Sequence, residues 1–345
     1  MKLYDLDLVD LENYIETLGE KKYRAKQIFL SLYKDRVSSY DEMTTLKKEF
    51  RDKLKEELAF PKLELVNRQV SSDTTEKFLF KLEDGNLIET VLMPHDYGYS
   101  LCVSSQVGCP MACSFCASGA YGFKRNLYTY EMVLQVLDVE RYSEKKISSV
   151  VIMGIGEPFL NYDNVIKFIR IINNDNGIAI GARHITLSTS GIIPKIKDFE
   201  NEKFQVNLAI SLHASNDELR NKLMPVNKKY PLKDLIDALK TYITNTNRRV
   251  TIEYLLIDGI NDQDINAKEI GKLFRGVNVY INLIPYNETS NNDYKRSKRT
   301  NIFFDLLKKE GLNVTVRKEH GHDIDAACGQ LRGKMIKGEN KWGKV

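Results

Sequence analysis

Residues 99–118 read YSLCVSSQVGCPMACSFCAS. The strand-like start through Val103 gives way at Gly108 and Pro110 to a short loop holding Cys109, Cys113 and Cys116. This Cys-x3-Cys-x2-Cys spacing, with aromatic Phe115 before its last member, offers three thiolates from one loop. Three thiolates hold three irons of a cubane cluster and leave the fourth iron open to a substrate. Zinc is the competing reading, but a closed tetrahedral site needs a fourth ligand and there is no second Cys-x2-Cys knuckle. Plain packing of small apolar thiols is the third.

Outward from this loop, strand-like runs alternate with helical ones. After YSLCVSS come SSVVIMGIG (148–156), HITLSTS (184–190), QVNLAISLH (205–213), RVTIEYLLID (249–258) and VNVYINLIPYN (277–287). Helical stretches centre near 135, 168, 195, 235, 268 and 303, and a last strand is expected near 312–317. Such alternation predicts an α/β fold with a parallel sheet and helical crossovers. Six units suit an incomplete (β/α)6 TIM-like barrel better than an open two-sided sheet, although periodicity alone does not choose between them. Ahead of it, Leu8, Leu11, Ile15 and Leu18, then Ala25, Ile28, Phe29 and Leu32, then Phe50 and Leu54 recur at helical spacing. Strand-like runs at 63–70, 76–82 and 87–93 follow, the last two flanking an Asp84-Gly85 turn signal. The expected organisation is a small helical and β accessory domain (1–94), a core (95–333) and a basic tail (334–345).

Working residues of parallel α/β folds sit at the carboxyl ends of strands. Gly156-Glu157-Pro158, Ser188, Ser211 to His213 and Asn287 all fall there. MGIGEP is not a dinucleotide loop, because Phe159 stands where the third glycine of G-x-G-x-x-G belongs.

The motifs QVGCPMACSFCASG, MGIGEPFLN, LSTSGIIP, AISLHA, LMPVNKKYP, NLIPYN and DIDAACGQL occur in that order. Together they resemble the radical S-adenosylmethionine (SAM) RNA adenine methyltransferases of the RlmN family, from the N-terminal helices to about residue 333. The resemblance implies one 4Fe-4S cluster on Cys109, Cys113 and Cys116, with SAM on the open iron and contacted by Gly156, Glu157, Ser188, Ser211, Leu212, His213 and Asn287. It implies methylation of carbon 2 of an adenine in 23S ribosomal RNA and of the adenine beside the anticodon in tRNA, with two SAM per turnover. Cys328 matches the methyl-carrying thiol, Cys102 the thiol that releases product through a transient disulfide, and Glu89 (in LIETV) the acceptor of the carbon-2 proton. The related Cfr enzymes, which methylate carbon 8, share all five cysteines; Pro158 looks more like the carbon-2 enzymes. On residues alone, Cys102 reads equally as a buried small hydrophobe, Glu89 as an exposed strand carboxylate, Ser188 as a helix cap, His213 as a satisfied strand-end histidine and the Cys328 segment as a surface turn.

Of 345 residues, 42% are hydrophobic and 28% charged, as in ordinary globular chains. A net charge of +4 permits a nucleic-acid partner without requiring one. Lys124-Arg125 and YKRSKRT (294–300) are candidate phosphate contacts, a solvated charge run being the commoner explanation. The acidic start MKLYDLDLVDLENYIETLGE is no signal peptide, and no apolar run approaches the roughly 20 residues of a membrane span. The expectation is a cytoplasmic monomer with neither membrane nor DNA partner, drawing electrons from a flavodoxin or ferredoxin.

Overall fold

A computed structural model of the chain describes residues 1–119, 122–288, 292–321, 323–324, 331 and 333. Three amphipathic helices open it: α1 (Leu8–Thr17), α2 (Tyr23–Tyr33) and α3 (Lys48–Glu57). Their apolar stripes converge, with Leu11, Ile15, Ile28, Phe29 and Leu54 all buried. Three antiparallel strands follow, β1 (Glu64–Val70), β2 (Glu76–Lys81) and β3 (Leu87–His95), the last two joined through the turn at Asp84-Gly85.

Next come β4 (Gly98–Cys102), β5 (Gln106–Val107), β6 (Arg125–Asn126), α4 (Thr129–Ser143), β7 (Ile147–Ile152), α5 (Tyr162–Asn173), β8 (Ile185–Thr189), α6 (Ile193–Asn201) and β9 (Asn207–Ser211). The remainder is α7 (Asp217–Leu223), α8 (Leu232–Thr246), β10 (Val250–Leu256), α9 (Asp264–Leu273), β11 (Val279–Pro285), α10 (Thr300–Lys309) and β12 (Asn313–Val316). Among the described residues, one sheet runs β1-β2-β3-β4-β7-β8-β9-β10-β11-β12. From β4 onward every neighbouring pair is parallel.

That order decides between the two architectures left open by periodicity. A doubly wound sheet reverses its strand order at a switch point. Here the order never reverses, so right-handed crossovers lay the helices that connect these parallel strands on one face and the sheet curls around the other. Helix α5 shows the consequence, turning Val165, Ile166, Ile169 and Ile172 into the core. The fold is therefore an incomplete barrel. Strands β1 to β3 continue its sheet beyond β4, and residue 94 falls within β3. Among the described residues no helix is long and apolar enough to cross a membrane.

Candidate active site

The cysteine loop leaves the carboxyl side of β4. Its base is closed by a two-residue ladder, in which Gln106 pairs with Asn126 and Val107 with Arg125. Gly108 sits at φ +78°, and a Cβ there would lie 1.7 Å from the Gly122 carbonyl oxygen, so only glycine fits. The Ser114 N–H donates to the Leu223 carbonyl (3.0 Å), anchoring the loop to α7. Burial pushes the Cys109 thiol up to about 12, a backbone N–H lowering it and the neighbouring Cys116 and Glu157 raising it further. Burial also raises the Cys113 thiol, again with Cys116, Cys109 and Glu157 adding to the rise. The thiols are close enough to repel one another as anions, and a bound cation would reverse that balance.

A cavity of about 320 Å³ adjoins this loop. Cys109, Phe115 and Cys116 line one side, Gly154, Gly156, His213 and Asn287 the strand ends, and Val91, Met93 and Arg317 to His320 the wall opposite. Gly156, at φ +120°, brings its backbone so close that a Cβ would stand 2.7 Å from Gln106 Cβ and Ser105 Oγ. Among the described residues, no three His, Cys, Asp or Glu side chains converge on a position for a single metal ion. A zinc site has no closed ligand set there. A cubane instead offers a different iron to each thiol, so three thiols on one loop beside an open cavity suffice for it.

Glu157 does not line this cavity. Its carboxylate accepts hydrogen bonds from Thr189 Oγ1 (2.7 Å), the Ser190 N–H (2.7 Å) and the Phe159 N–H (3.1 Å), and burial raises its pKa. Arg220, which no motif singled out, is fully buried and donates to the carbonyls of Ser190 (2.7 Å), Leu212 (3.2 Å) and Ser211 (3.3 Å) and to Asn227 Oδ1 (3.0 Å). Glu157 and Arg220 thus hold the Ser190 backbone from both sides, at its N–H and at its carbonyl, tying together the carboxyl ends of β7, β8 and β9. Burial lowers the Arg220 guanidinium to about 10. His213 stands at φ +53°, accepts the Leu255 N–H at Nδ1 (3.0 Å) and meets Phe115 edge-on with ring centroids 5.0 Å apart. Burial, helped by Arg220, drops it to about 3, so it is neutral. Ser188, near the end of β8, does not cap α6, whose cap is Ile192. Ser188, Ser211 and Leu212 support the rim without lining the cavity.

Alternation along β3 sends Leu87, Glu89, Val91, Met93 and His95 to one face. Cys102 is the register partner of Val91 and packs with Val91, Met93 and Met153, next to the cavity. Glu89 is 3% exposed and paired at 2.9 Å with Lys77 Nζ, itself 0% exposed. The exposed-carboxylate reading of Glu89 therefore fails. Lys77 is a second residue that inspection of the sequence missed. Cys328 and the 334–345 tail lie outside the described residues.

Both basic segments proposed for phosphate are largely neutralised. Arg125 pairs with Glu131 (2.7 Å) and Asp84 (2.6 Å), Lys295 with Glu288 (3.0 Å), Arg296 with Glu319 (2.5 Å), and Arg299 with Asp264.

Residues 103–267 match the radical SAM superfamily, and residues 1–59 match the ribosomal RNA large subunit methyltransferase N-terminal domain. Proteins of Bacillus cereus (strain ATCC 14579) and Bacillus thuringiensis (strain Al Hakam), each described as a probable dual-specificity RNA methyltransferase RlmN, are 53% identical over 98% of this chain and 95% of theirs. The crystal structure of a radical SAM methyltransferase from Sphaerobacter thermophilus superposes with a TM-score of 0.91 at 45% identity, covering 96% of this chain and 98% of that one. This chain belongs to the RlmN family. Radical SAM membership brings a 4Fe-4S cluster and SAM. The donor set fits them: three thiols on one loop, and beside them a cavity rimmed by the close backbone approach at Gly156.

Proposed function

We propose that this chain methylates carbon 2 of an adenine in 23S ribosomal RNA and of the adenine beside the anticodon in tRNA. The observation that carries the reading is the shared face of Glu89 and Cys102 beside the cavity that also receives Cys109 and Cys116.

Carbon 2 of adenine is electron-poor and cannot attack a methyl sulfonium, so a radical route in a sheltered cavity is required. Cys109, Cys113 and Cys116 would hold the cluster, and Gly156, His213 and Asn287 border the space for SAM. Bound there, they supply a transferable methyl group and, on one-electron reduction, a 5′-deoxyadenosyl radical, two SAM being used per turnover. Cys328 is the thiol assigned to carry the methyl group, thiolates being suited to polar displacement. Once its S-methyl has lost a hydrogen atom, the methylene joins carbon 2 and links protein to RNA. The adduct would give one electron back to the oxidised cluster, and its carbon-2 proton passes to the Glu89 carboxylate. Cys102 attacks the Cys328 sulfur; the S–S bond forms, the S–CH2 bond breaks with its electron pair on carbon, and a proton completes the new methyl group. We further infer a cytoplasmic monomer served by a flavodoxin or ferredoxin.

The test is methylation of both RNAs by anaerobically reconstituted enzyme, followed by nucleoside mass spectrometry. The expected product is 2-methyladenosine; 8-methyladenosine would overturn the assignment. Replacing Cys102 with alanine should accumulate a covalent protein–RNA adduct.

A further inference from the structure

The outer wall of the cavity carries groups that the reaction above does not use. At the end of β3, His95 shares the cavity face of Val91 and Met93. Two residues on, in the tight turn into β4, Tyr97 stacks on it with ring centroids 4.8 Å apart and planes 6° from parallel. The other side of Tyr97 faces solvent, the residue being 63% exposed. His320 meets His95 edge-on at 5.0 Å and itself lines the cavity.

The His320 side chain is 7% exposed, yet neither Nδ1 nor Nε2 has a hydrogen-bond partner. Its nearest carboxylate oxygen, Asp73 Oδ2, stands 3.8 Å away and accepts the Gly321 N–H instead. Leaving buried polar atoms unmatched is costly, so an unpartnered ring beside a cavity points to a ligand that completes it. Burial and the neighbouring cations lower His320, so the ring is neutral, with one nitrogen donating and the other accepting. Arg317 and Lys318 line the same wall and supply positive charge.

A stacked, exposed aromatic, an unpartnered imidazole and two cations around one opening are what a splayed single-stranded nucleotide requires. We propose that Tyr97, His95 and His320 form a nucleobase-binding wall, the open face of Tyr97 stacking on a base that flanks the target adenine while His320 hydrogen-bonds the nucleotide inside the cavity. This rests on the reading of RNA as substrate. His95 backs the stack, and the cations face the phosphates on either side of the flipped nucleotide.

The test is steady-state kinetics of the reconstituted enzyme on an anticodon stem-loop and a 23S ribosomal RNA fragment. Base–aromatic stacking is worth enough that Tyr97→Ala should raise the KM for RNA about ten-fold with kcat little changed, and Tyr97→Trp should restore it. His320→Phe keeps the edge-on packing but deletes both nitrogens, and should lower kcat/KM about ten-fold. Iron content and unfolding midpoint should match the parent enzyme in all three variants. An enzyme active on RNA but indifferent to Tyr97→Ala would overturn the wall alone. A parent enzyme inert on both RNAs would sink the substrate reading and the wall with it.

Discussion

Replacing Lys77 with methionine tests the electrostatics of the inner face most directly. The Lys77 ammonium and Glu89 carboxylate stand 2.9 Å apart at 0% and 3% exposure. At an effective dielectric constant near 20, their gross attraction is about 6 kcal/mol. Desolvating two ions costs several kcal/mol each, so the pair gains little over two well-packed apolar side chains. Removing one partner is different, because it takes a compensating charge out of the interior, at a cost of about 3–5 kcal/mol. Lys77→Met should therefore lower stability by that amount, while Lys77→Met with Glu89→Leu should recover most of it. Urea unfolding of the parent, both single variants and the double variant closes the cycle. The same lesion has a chemical readout, since Glu89 loses the ammonium that positions its carboxylate on the inner face. Methylated product should fall while the protein–RNA adduct builds up, as it would for Glu89→Gln. A single variant within about 1 kcal/mol of the parent, or a double variant no better than the single, would refute the reasoning.

Three further outcomes are expected. Gly156→Ala forces a Cβ to 2.7 Å from Gln106 and Ser105 at φ +120°, and should weaken SAM binding at least about ten-fold in equilibrium dialysis, because backbone strain of this kind displaces the loop. Cys109→Ser should lose most bound iron on reconstitution, as read by colorimetric iron assay, whereas Cys328→Ala should keep its iron and lose methyl transfer. Burial raises Asp138 from 3.8 to about 6, so the folded chain holds that proton more tightly than the unfolded one. This contribution is greatest at low pH and is lost as pH rises from about 4 through 6, amounting to about 3 kcal/mol. The difference in unfolding free energy between parent and Asp138→Asn should shrink across that window as pH falls; a flat difference would contradict the assignment.

The strands and helices of the core were legible because each carries its own period, and the barrel followed once the strand order proved never to reverse. The thiol trio and Gly156 were legible for a local reason as well, since a loop that crowds its own backbone must spend Cys, Gly and Pro in fixed spacing. Lys77 was not. In EKFLFK it looks like a strand lysine with its head in water, and its burial depends on β3 supplying a carboxylate twelve residues later. Arg125 and Arg296 misled in the opposite direction. Each sits in a basic run, but Asp84 and Glu319 reach them across the fold. Such pairings are properties of the tertiary structure, and no periodicity announces them.

Buried charge at the rim follows one plan. Glu157 and Arg220 would each be costly alone in the interior. They are joined through a single residue, the Ser190 N–H donating to Glu157 Oε2 and the Ser190 carbonyl accepting from Arg220 Nη2. Arg220 then spreads to Leu212, Ser211 and Asn227, and Glu157 to Thr189 and Phe159. A network so fully matched has one low-energy arrangement, because shifting any strand end would strand a polar group. The backbone beside Gly156 and the backbone leading into His213 are held by the two ends of this network, so the space between the cysteine loop and the strand ends is shaped before any ligand arrives. Catalytic geometry that must favour one radical addition over its competitors needs that kind of preorganisation. The Glu of the GEP motif thus acts here as the strut that fixes the rim, and its backbone neighbour Gly156 is what the cavity meets.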